Sequence, residues 1–173
     1  MKTLVIHPTD PTTDFLKAIY KDKGFRIADD LGRFALENSI REHDRIIMLG
    51  HGSSEGLFKT LGEFCIDKDY SALFSEKEIV CIWCNADLFF QRYILPYKPS
   101  RAFYTGMFIS EMLEARLMEV STTEEEIEKS NEDFAEIFST ILESTERVSK
   151  LEESYKSKTE LREYNGTRFY EYK

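Results

Sequence analysis

Two continuous apolar runs limit the folds that are open to this chain. Residues 44–50 read DRIIMLG and residues 78–84 read EIVCIWC, and neither run alternates between apolar and polar side chains. A strand of this kind is buried on both faces, which is typical of a parallel sheet covered by helices on either side. The two runs therefore predict the central strands of an α/β domain.

The segments around these runs alternate between strand and helix. The expected strands are residues 2–6, 25–28, 44–50, 78–84 and 101–106, and the expected helices are 10–24, 29–42, 85–95 and 107–118. Asp10 followed by Pro11 is a good helix start, and Asp29 or Asp30 caps the second helix. Residues 56–67 are expected to form a small β-hairpin around Gly62. This order predicts a three-layer sandwich with a mostly parallel central sheet.

The carboxy-terminal part of the chain reads as a long acidic helix. Apolar residues recur every seven positions, at Ile127, Phe134, Ile141, Val148 and Tyr155, and form one seam. Thr123 and Glu126 have the spacing of a capping box at its start. Two arrangements stay open, because a helix running to Ser157 would be longer than a small domain. It either bends near Ser144 or Thr145 and covers the sheet, or pairs with a second copy in a homodimer.

Length predicts one domain, and net charge argues against one class of partner. The 173 residues are enough for one core, so we divide the chain into an α/β core, residues 1–118, and a helical extension, residues 119–173. The tail RFYEYK is expected to add an edge strand after a turn at residues 164–167. A net charge of −9 argues against nucleic acid as the main partner.

The same sequence predicts a location away from membranes and from the secretory route. It contains no apolar run of membrane-spanning length, and the amino terminus lacks the pattern of a secretory signal. Three cysteines, an odd and small number, do not form the paired framework of a disulfide-rich secreted domain. A cytoplasmic location is therefore expected, with no membrane partner.

Three reactive side chains follow predicted strands. His7 comes after the first strand, His51 after residues 44–50, and Cys84 ends residues 78–84. Open parallel sheets bind ligands beyond the carboxyl ends of their strands, so these side chains are expected to share a crevice. His51 is followed by Gly52, where the backbone can approach a ligand and point an N–H at an oxyanion. As a histidine, His51 can act as a general base or a general acid.

Cys81 and Cys84 have the spacing C-x-x-C but do not predict a metal site. Three residues apart on a strand, they point to opposite faces, and no second cysteine or histidine pair completes a tetrahedral set. Cys81 is expected in the core. Cys84 is followed by polar Asn85 and can be exposed. If a nearby imidazole favours its thiolate, Cys84 is the candidate nucleophile; otherwise it is a second buried cysteine without reactivity. We predict neither a metal nor another cofactor.

LGHGSSEG and EIVCIWCNA together resemble the caspase-like cysteine peptidases, the group that contains caspases, legumains, gingipains and CHAT-type peptidases. The shared pattern is a strand ending in His-Gly, a hairpin-like insertion, and an apolar strand ending in Cys. The resemblance implies that His51 is the catalytic histidine, Cys84 the nucleophile, and the N–H groups of Gly52 and Cys84 the oxyanion donors. It covers about residues 1–118 by topology, and it departs from the family at Trp83, where a small residue is usual.

Two other functions remain open beside a cysteine hydrolase acting on peptides. The first is a non-catalytic α/β module of caspase-like or flavodoxin-like fold that binds a small, nucleotide-derived ligand in the crevice. Its candidate ligand-binding residues are His7, Ser53, Ser54, Asn85 and Asp87. The loop HPTDPTTD offers hydroxyls and a helix start for phosphate, but it lacks a glycine-rich pattern. The second is an interaction protein that acts through the acidic helix.

Overall fold

The computed structural model describes residues 1–28, 31–60, 62–156 and 159–173, and in it both apolar runs are buried strands. The strands, in chain order, are β1 (Thr3–Ile6), β2 (Arg26–Ile27), β3 (Arg45–Leu49), β4 (Gly52–Ser53), β5 (Gly56–Thr60), β6 (Glu63–Ile66), β7 (Glu78–Ile82), β8 (Arg101–Thr105) and β9 (Phe169–Tyr172). The α-helices are α1 (Arg33–Arg41), α2 (Ala86–Phe89), α3 (Met112–Leu117), α4 (Glu124–Ile141), α5 (Arg147–Tyr155) and α6 (Glu160–Gly166).

Six of the strands form one mostly parallel sheet. Their order is β2-β1-β3-β7-β8-β9, and every neighbouring pair is parallel except β8 and β9. All five residues of β3 and of β7 are buried, as their unbroken apolar sequences predict. Leu49 pairs with Ile82 at the carboxyl ends of these two central strands.

A second, smaller sheet follows β3 directly. Strands β4, β5 and β6 are antiparallel neighbours in that order, so the expected hairpin is present and gains a third strand. Gly56 has a positive φ of 144° at the start of β5, and a Cβ there would lie 2.0 Å from the carbonyl oxygen of Ile66. Only glycine fits this turn.

Helices cover both faces of the large sheet and give the chain its layers. One core lies between the sheet and α1, α2 and a 3-10 helix at Lys68–Phe74. The other lies between the sheet and α4, α5 and a 3-10 helix at Pro11–Ile19. The mixed α/β class and the mostly parallel sheet predicted from the sequence are confirmed.

The amino-terminal helices differ in detail from the sequence prediction. Asp10 does cap the first one, since its side chain accepts from the N–H of Thr12 at 2.9 Å, but that helix is 3-10 and ends at Ile19. The second helix, α1, begins after Gly32. The caps proposed for it, Asp29 and Asp30, lie outside the described residues.

The two helices predicted on either side of β8 are also shorter or less regular than expected. After α2 the chain continues as a π-helical turn, Phe90–Ile94, and a 3-10 turn, Leu95–Tyr97. The helix expected at residues 107–118 is restricted to α3, because residues 107–111 are not helical. The irregular stretch between β8 and α3 contributes to the functional site.

The acidic helix breaks and covers the sheet. It ends at Ile141 and resumes at Arg147, which brackets the bend expected near Ser144 and Thr145, and the side chain of Thr123 accepts from the N–H of Glu126 at 3.2 Å. Its apolar seam is buried in the second core, mainly through Phe134, Phe138, Leu151 and Tyr155. A homodimer formed through this helix would have to use its acidic outer face.

The end of the chain returns to the sheet. The expected turn at residues 164–167 is wrong, because α6 continues through Tyr164 and Asn165 to Gly166. Asn165 is buried and bonds both ways with the backbone of Ile109, which favours helix over a solvent turn there. The predicted edge strand is confirmed as β9. Among the described residues, no helix combines the length and the apolar character needed to cross a membrane.

Candidate functional site

A cleft of about 340 Å³ opens at the carboxyl ends of β1, β3 and β7. The chain passes from β1 outward to β2 and then returns to β3 on the other side of β1, so the strand order reverses between β1 and β3. Ligands of open α/β sheets bind beside such a reversal. The cleft and the reversal of strand order therefore lie at the same place in the fold.

The sheet register brings His51 and Cys84 to this cleft. Each residue lies two positions beyond a paired strand end, because Leu49 of β3 pairs with Ile82 of β7. Neighbouring strands are about 4.8 Å apart, so the chains leave the sheet side by side. Both residues line the cleft, together with Gly52.

The imidazole of His51 bonds to the loop that follows β1. Its Nε2 lies 2.7 Å from Oγ1 of Thr12, and that hydroxyl donates its own proton to Oδ1 of Asp10 at 2.7 Å. Nε2 must therefore be the protonated nitrogen that donates to Thr12, which leaves Nδ1 as the basic nitrogen. Two carboxylates are also near Nε2: Glu111 at 3.4 Å and Asp10 at 4.0 Å.

Cys84 is mostly buried and bonds to a carboxylate. Its Sγ donates to Oε1 of Glu114 at 2.9 Å and lies 3.6 Å from the carbonyl oxygen of Phe108. Burial, followed by the negative charge of Glu114, raises the pKa of the Cys84 thiol well above its usual value. In this conformation Cys84 is a neutral thiol. Within the described chain, no hydrogen bond joins it to His51.

The side chain of Trp83 extends toward β4. Its indole Nε1 donates to the carbonyl oxygen of Ser53 at 3.0 Å, and its ring lies against the backbone of Gly52. Thr105 holds the Trp83 backbone, accepting from its N–H at 3.2 Å and donating to its carbonyl at 2.9 Å. Trp83 therefore connects β7 to β4 and positions Gly52.

The four candidate ligand residues near His51 and Cys84 lie outside the cleft lining. Ser53 ends β4 and Ser54 lies in the turn to β5, where Ser53 Oγ accepts from the N–H of Glu55 at 3.2 Å. Asn85 has a left-handed backbone with φ 63° and donates from its N–H to Gly106. Asp87 is in α2, and its buried Oδ1 has no hydrogen-bond partner among the described residues.

His7 has an internal role. Its Nδ1 lies 3.0 Å from the hydroxyl of Tyr20 and its Nε2 lies 3.1 Å from Oγ1 of Thr13. Thr13 donates its proton to the carbonyl of Asp10, so Nε2 of His7 is the donor and Nδ1 accepts from Tyr20. Both nitrogens are occupied, so a ligand would have to displace one of these bonds. His7 instead fixes the loop that carries Thr12.

The buried His7 predicts acid sensitivity. Burial, with the Lys17 charge next, lowers the pKa of His7 to about 4. His7 therefore takes up a proton near pH 6.5 in the unfolded chain but only near pH 4 in the folded chain. The free energy of unfolding should fall by about 3 kcal/mol as the pH drops through this window. Urea unfolding from pH 7 to 4 measures the loss.

The matched control for His7 is His7→Gln, which keeps polar atoms but does not titrate. In this variant, the part of the pH dependence of the unfolding free energy that comes from His7 should disappear. If NMR shows that the imidazole of His7 titrates near pH 6.5 in the folded protein, the expectation is contradicted.

Sequence reasoning did not assign the residues that contact His51 and Cys84 to these contacts, although Asp10 and Thr12 belong to the loop HPTDPTTD that was considered for phosphate. The contacting residues are Asp10, Thr12, Glu111, Glu114 and the backbone of Phe108. Glu111 and Glu114 follow β8, whose neighbour in the sheet is β7, so their place at the carboxyl edge was the signal available. Residues 107–111 were instead expected to be helical, and this expectation kept Glu111 from being considered at the carboxyl edge.

Comparison with known proteins gave no match: no family model, no curated protein and no solved structure matches this chain. Function must therefore be argued from the cleft itself. Among the described residues, no group of three or more histidine, cysteine or acidic side chains is arranged to hold a metal ion. Cys81 is fully buried in the first core, and Cys84 is beyond the end of β7.

Proposed function

We propose that this chain is a caspase-like cysteine hydrolase that cleaves peptide bonds, with Cys84 as the nucleophile and His51 as the general base. The observation that carries the proposal is the register of β3 and β7. It sets a histidine and a cysteine two residues beyond paired ends of adjacent parallel strands, in one cleft. A nucleophile and a base need this kind of shared position to act on one substrate.

The surrounding topology supports the same assignment. A three-stranded sheet follows the histidine immediately, at the place of the hairpin-like insertion, and the apolar strand β7 that ends before Cys84 comes after it. The sequence motifs LGHGSSEG and EIVCIWCNA fall on these elements in the order that the caspase-like resemblance implies. Sheet topology and motif positions therefore agree.

Gly52 supplies a suitable oxyanion donor. The N–H of Phe58 donates to the carbonyl of His51 at 2.8 Å, so residues 51 and 58 are a hydrogen-bonded pair of the antiparallel ladder. Such pairs alternate with non-bonded ones, and Gly52 with Leu57 is the next pair. The N–H of Gly52 consequently points away from β5, where it can stabilise a developing negative charge.

The chemistry then follows four steps. His51 accepts the proton of the Cys84 thiol, and the thiolate attacks the substrate carbonyl carbon. The N–H groups of Gly52 and Cys84 stabilise the tetrahedral oxyanion. Collapse breaks the C–N bond, and the amine leaves with the proton from His51. Water activated by His51 hydrolyses the thioester and restores the thiol.

Cleavage of a mixed peptide library, followed by mass spectrometry, tests this proposal. The experiment uses the protein and its Glu114→Gln variant, in which the group beside the thiol is uncharged. Cleavage is expected in both and is expected to be faster in Glu114→Gln. Cys84→Ala and His51→Ala are each expected to reduce it to background, with Cys81→Ala as the matched cysteine control. No cleavage by either protein, or cleavage that survives Cys84→Ala, contradicts the proposal.

One observation favours a second candidate, a non-catalytic binding module. The Cys84 thiol is neutral and already bonded to Glu114, as expected of a cysteine with no reaction to perform. Three carboxylates, those of Asp10, Glu111 and Glu114, outnumber the one lysine in the described part of the cleft lining, Lys59. This balance disfavours a nucleotide phosphate, and a neutral or cationic small molecule suits the cleft better. For such a module no peptide is cleaved, and Cys84→Ala keeps the ligand affinity of the native chain.

A further inference from the structure

One turn of the chain contacts both proposed catalytic residues. Residues 110–114 comprise the end of the connection from β8 and the first turn of α3, and they carry Glu111 and Glu114. Oε1 of Glu111 lies 3.4 Å from Nε2 of His51, and Oε1 of Glu114 accepts from the thiol of Cys84 at 2.9 Å. The histidine and the cysteine thus each face a carboxylate of the same turn.

Three donors hold the Glu114 carboxylate in place. Its Oε2 accepts from the N–H of Ser110 at 2.7 Å, from Oγ of Ser110 at 3.1 Å and from the N–H of Glu111 at 3.1 Å. Its Oε1 is thereby directed at Cys84. The carboxylate is a fixed acceptor for the thiol rather than a surface charge that swings in solvent.

We infer that residues 110–114 form an inhibitory latch, which keeps Cys84 as a neutral thiol bonded to Glu114 and separate from His51 until the turn moves. This inference rests on the proposed hydrolase function. A carboxylate beside a thiol opposes loss of the thiol proton, because the thiolate would be a second negative charge at hydrogen-bond distance. Withdrawal of the turn removes that repulsion, and His51 can then accept the proton through Nδ1.

The way α3 is packed allows such a movement. Only Ala115 of this helix is buried, whereas Leu113 and Leu117 are 63% and 70% exposed. Segments with few buried apolar contacts open at lower cost than the rest of a fold. The turn is anchored at its base instead, where Asn131 donates to the carbonyl of Ser110 at 3.0 Å and Asn165 bonds to Ile109. The carboxylates can therefore move about a fixed hinge.

The test is the rate at which iodoacetamide alkylates each cysteine at pH 7, resolved by mass spectrometry. Glu114→Gln is expected to speed alkylation of Cys84 at least tenfold, since lowering a thiol pKa by one unit raises the thiolate fraction about tenfold. Cys65, whose pKa burial raises to about 11, is the internal reference and should not change. Glu125→Gln, at an exposed position on α4, is the matched control.

A milder variant keeps the test decisive if Glu114→Gln fails to fold. Ser110→Ala removes one of the donors to Glu114 and is expected to speed alkylation of Cys84 at least twofold. An unchanged Cys84 rate in the folded variants overturns the latch. In the Glu114→Gln background, His51→Ala should slow alkylation at least fivefold. No effect of His51→Ala would instead contradict the hydrolase, so the two failures are distinguishable.

Discussion

Replacing Glu78 by alanine is expected to lower the free energy of unfolding by roughly 3–5 kcal/mol, measured by urea denaturation. Glu78 is buried at the start of β7, at the opposite edge of the sheet from the cleft. Its carboxylate accepts from Arg45 at 3.0 Å, from Arg101 at 2.8 Å and from Arg147. Truncation would leave the buried Arg147 guanidinium without the Glu78 counter-charge, while Arg45 keeps its bonds to Glu143 at 2.6 and 2.5 Å.

The size of this effect follows from burial. The side chains of Arg45 and Arg147 are 1% and 2% exposed, so water cannot replace the lost carboxylate. Glu37→Ala is the matched control, because Glu37 pairs with Arg33 at 3.1 Å on the surface of α1, and such pairs contribute about 0.5 kcal/mol or less. If Glu78→Ala and Glu37→Ala lower the free energy of unfolding equally, a structural role for the Glu78 cluster is contradicted.

The same cluster predicts acid unfolding. Burial alone would raise the pKa of Glu78, but hydrogen bonds from Arg101 and Arg147 outweigh it and lower the pKa. A carboxylate with a lowered folded pKa stabilises the protein above its unfolded pKa, and this contribution is lost as pH falls through the folded value. The acid limb of a pH–stability curve should therefore flatten in Glu78→Ala.

Substituting Gly52 by alanine is expected to reduce peptide hydrolysis by about 10²–10³-fold and stability by about 1–3 kcal/mol. A Cβ at this position would lie 2.2 Å from Cδ1 of Trp83 and 2.6 Å from the carbonyl oxygen of Gly56. The second contact is with backbone, so β4 must shift. The shift would break the bond from Trp83 to Ser53 and move the proposed oxyanion donor.

Gly32→Ala is the matched control for this substitution. Gly32 precedes α1 with a negative φ of −64°, and a Cβ added there would meet no atom of the described residues within 4 Å. A change of about 1 kcal/mol or less, with hydrolysis unaffected, is expected there. Steady-state cleavage and urea unfolding of both variants check the pair, and full hydrolysis by a Gly52→Ala protein that has lost this stability would contradict the role of the Gly52 N–H.

The fold was predictable where a local pattern has a single tertiary solution. Unbroken apolar runs at β3 and β7 fit only strands covered on both faces, and the seam through Phe134 and Tyr155 required a bend or a partner. The turn expected at Tyr164–Thr167 failed because the buried Asn165 side chain bonds to Ile109, a contact 56 residues away in sequence. No local propensity contains that information.

The sequence by itself determined the α/β class, the mostly parallel sheet and the residues that end its central strands, because hydrophobic period and strand ends are local properties. The tertiary structure alone decided what those residues contact. Cys84 bonds to Glu114 and His51 lies beside Glu111 because β8 is the sheet neighbour of β7, which brings the turn after β8 onto the same edge. The protonation of a cysteine depends on charges a few ångströms away, and those charges come from residues distant in the chain.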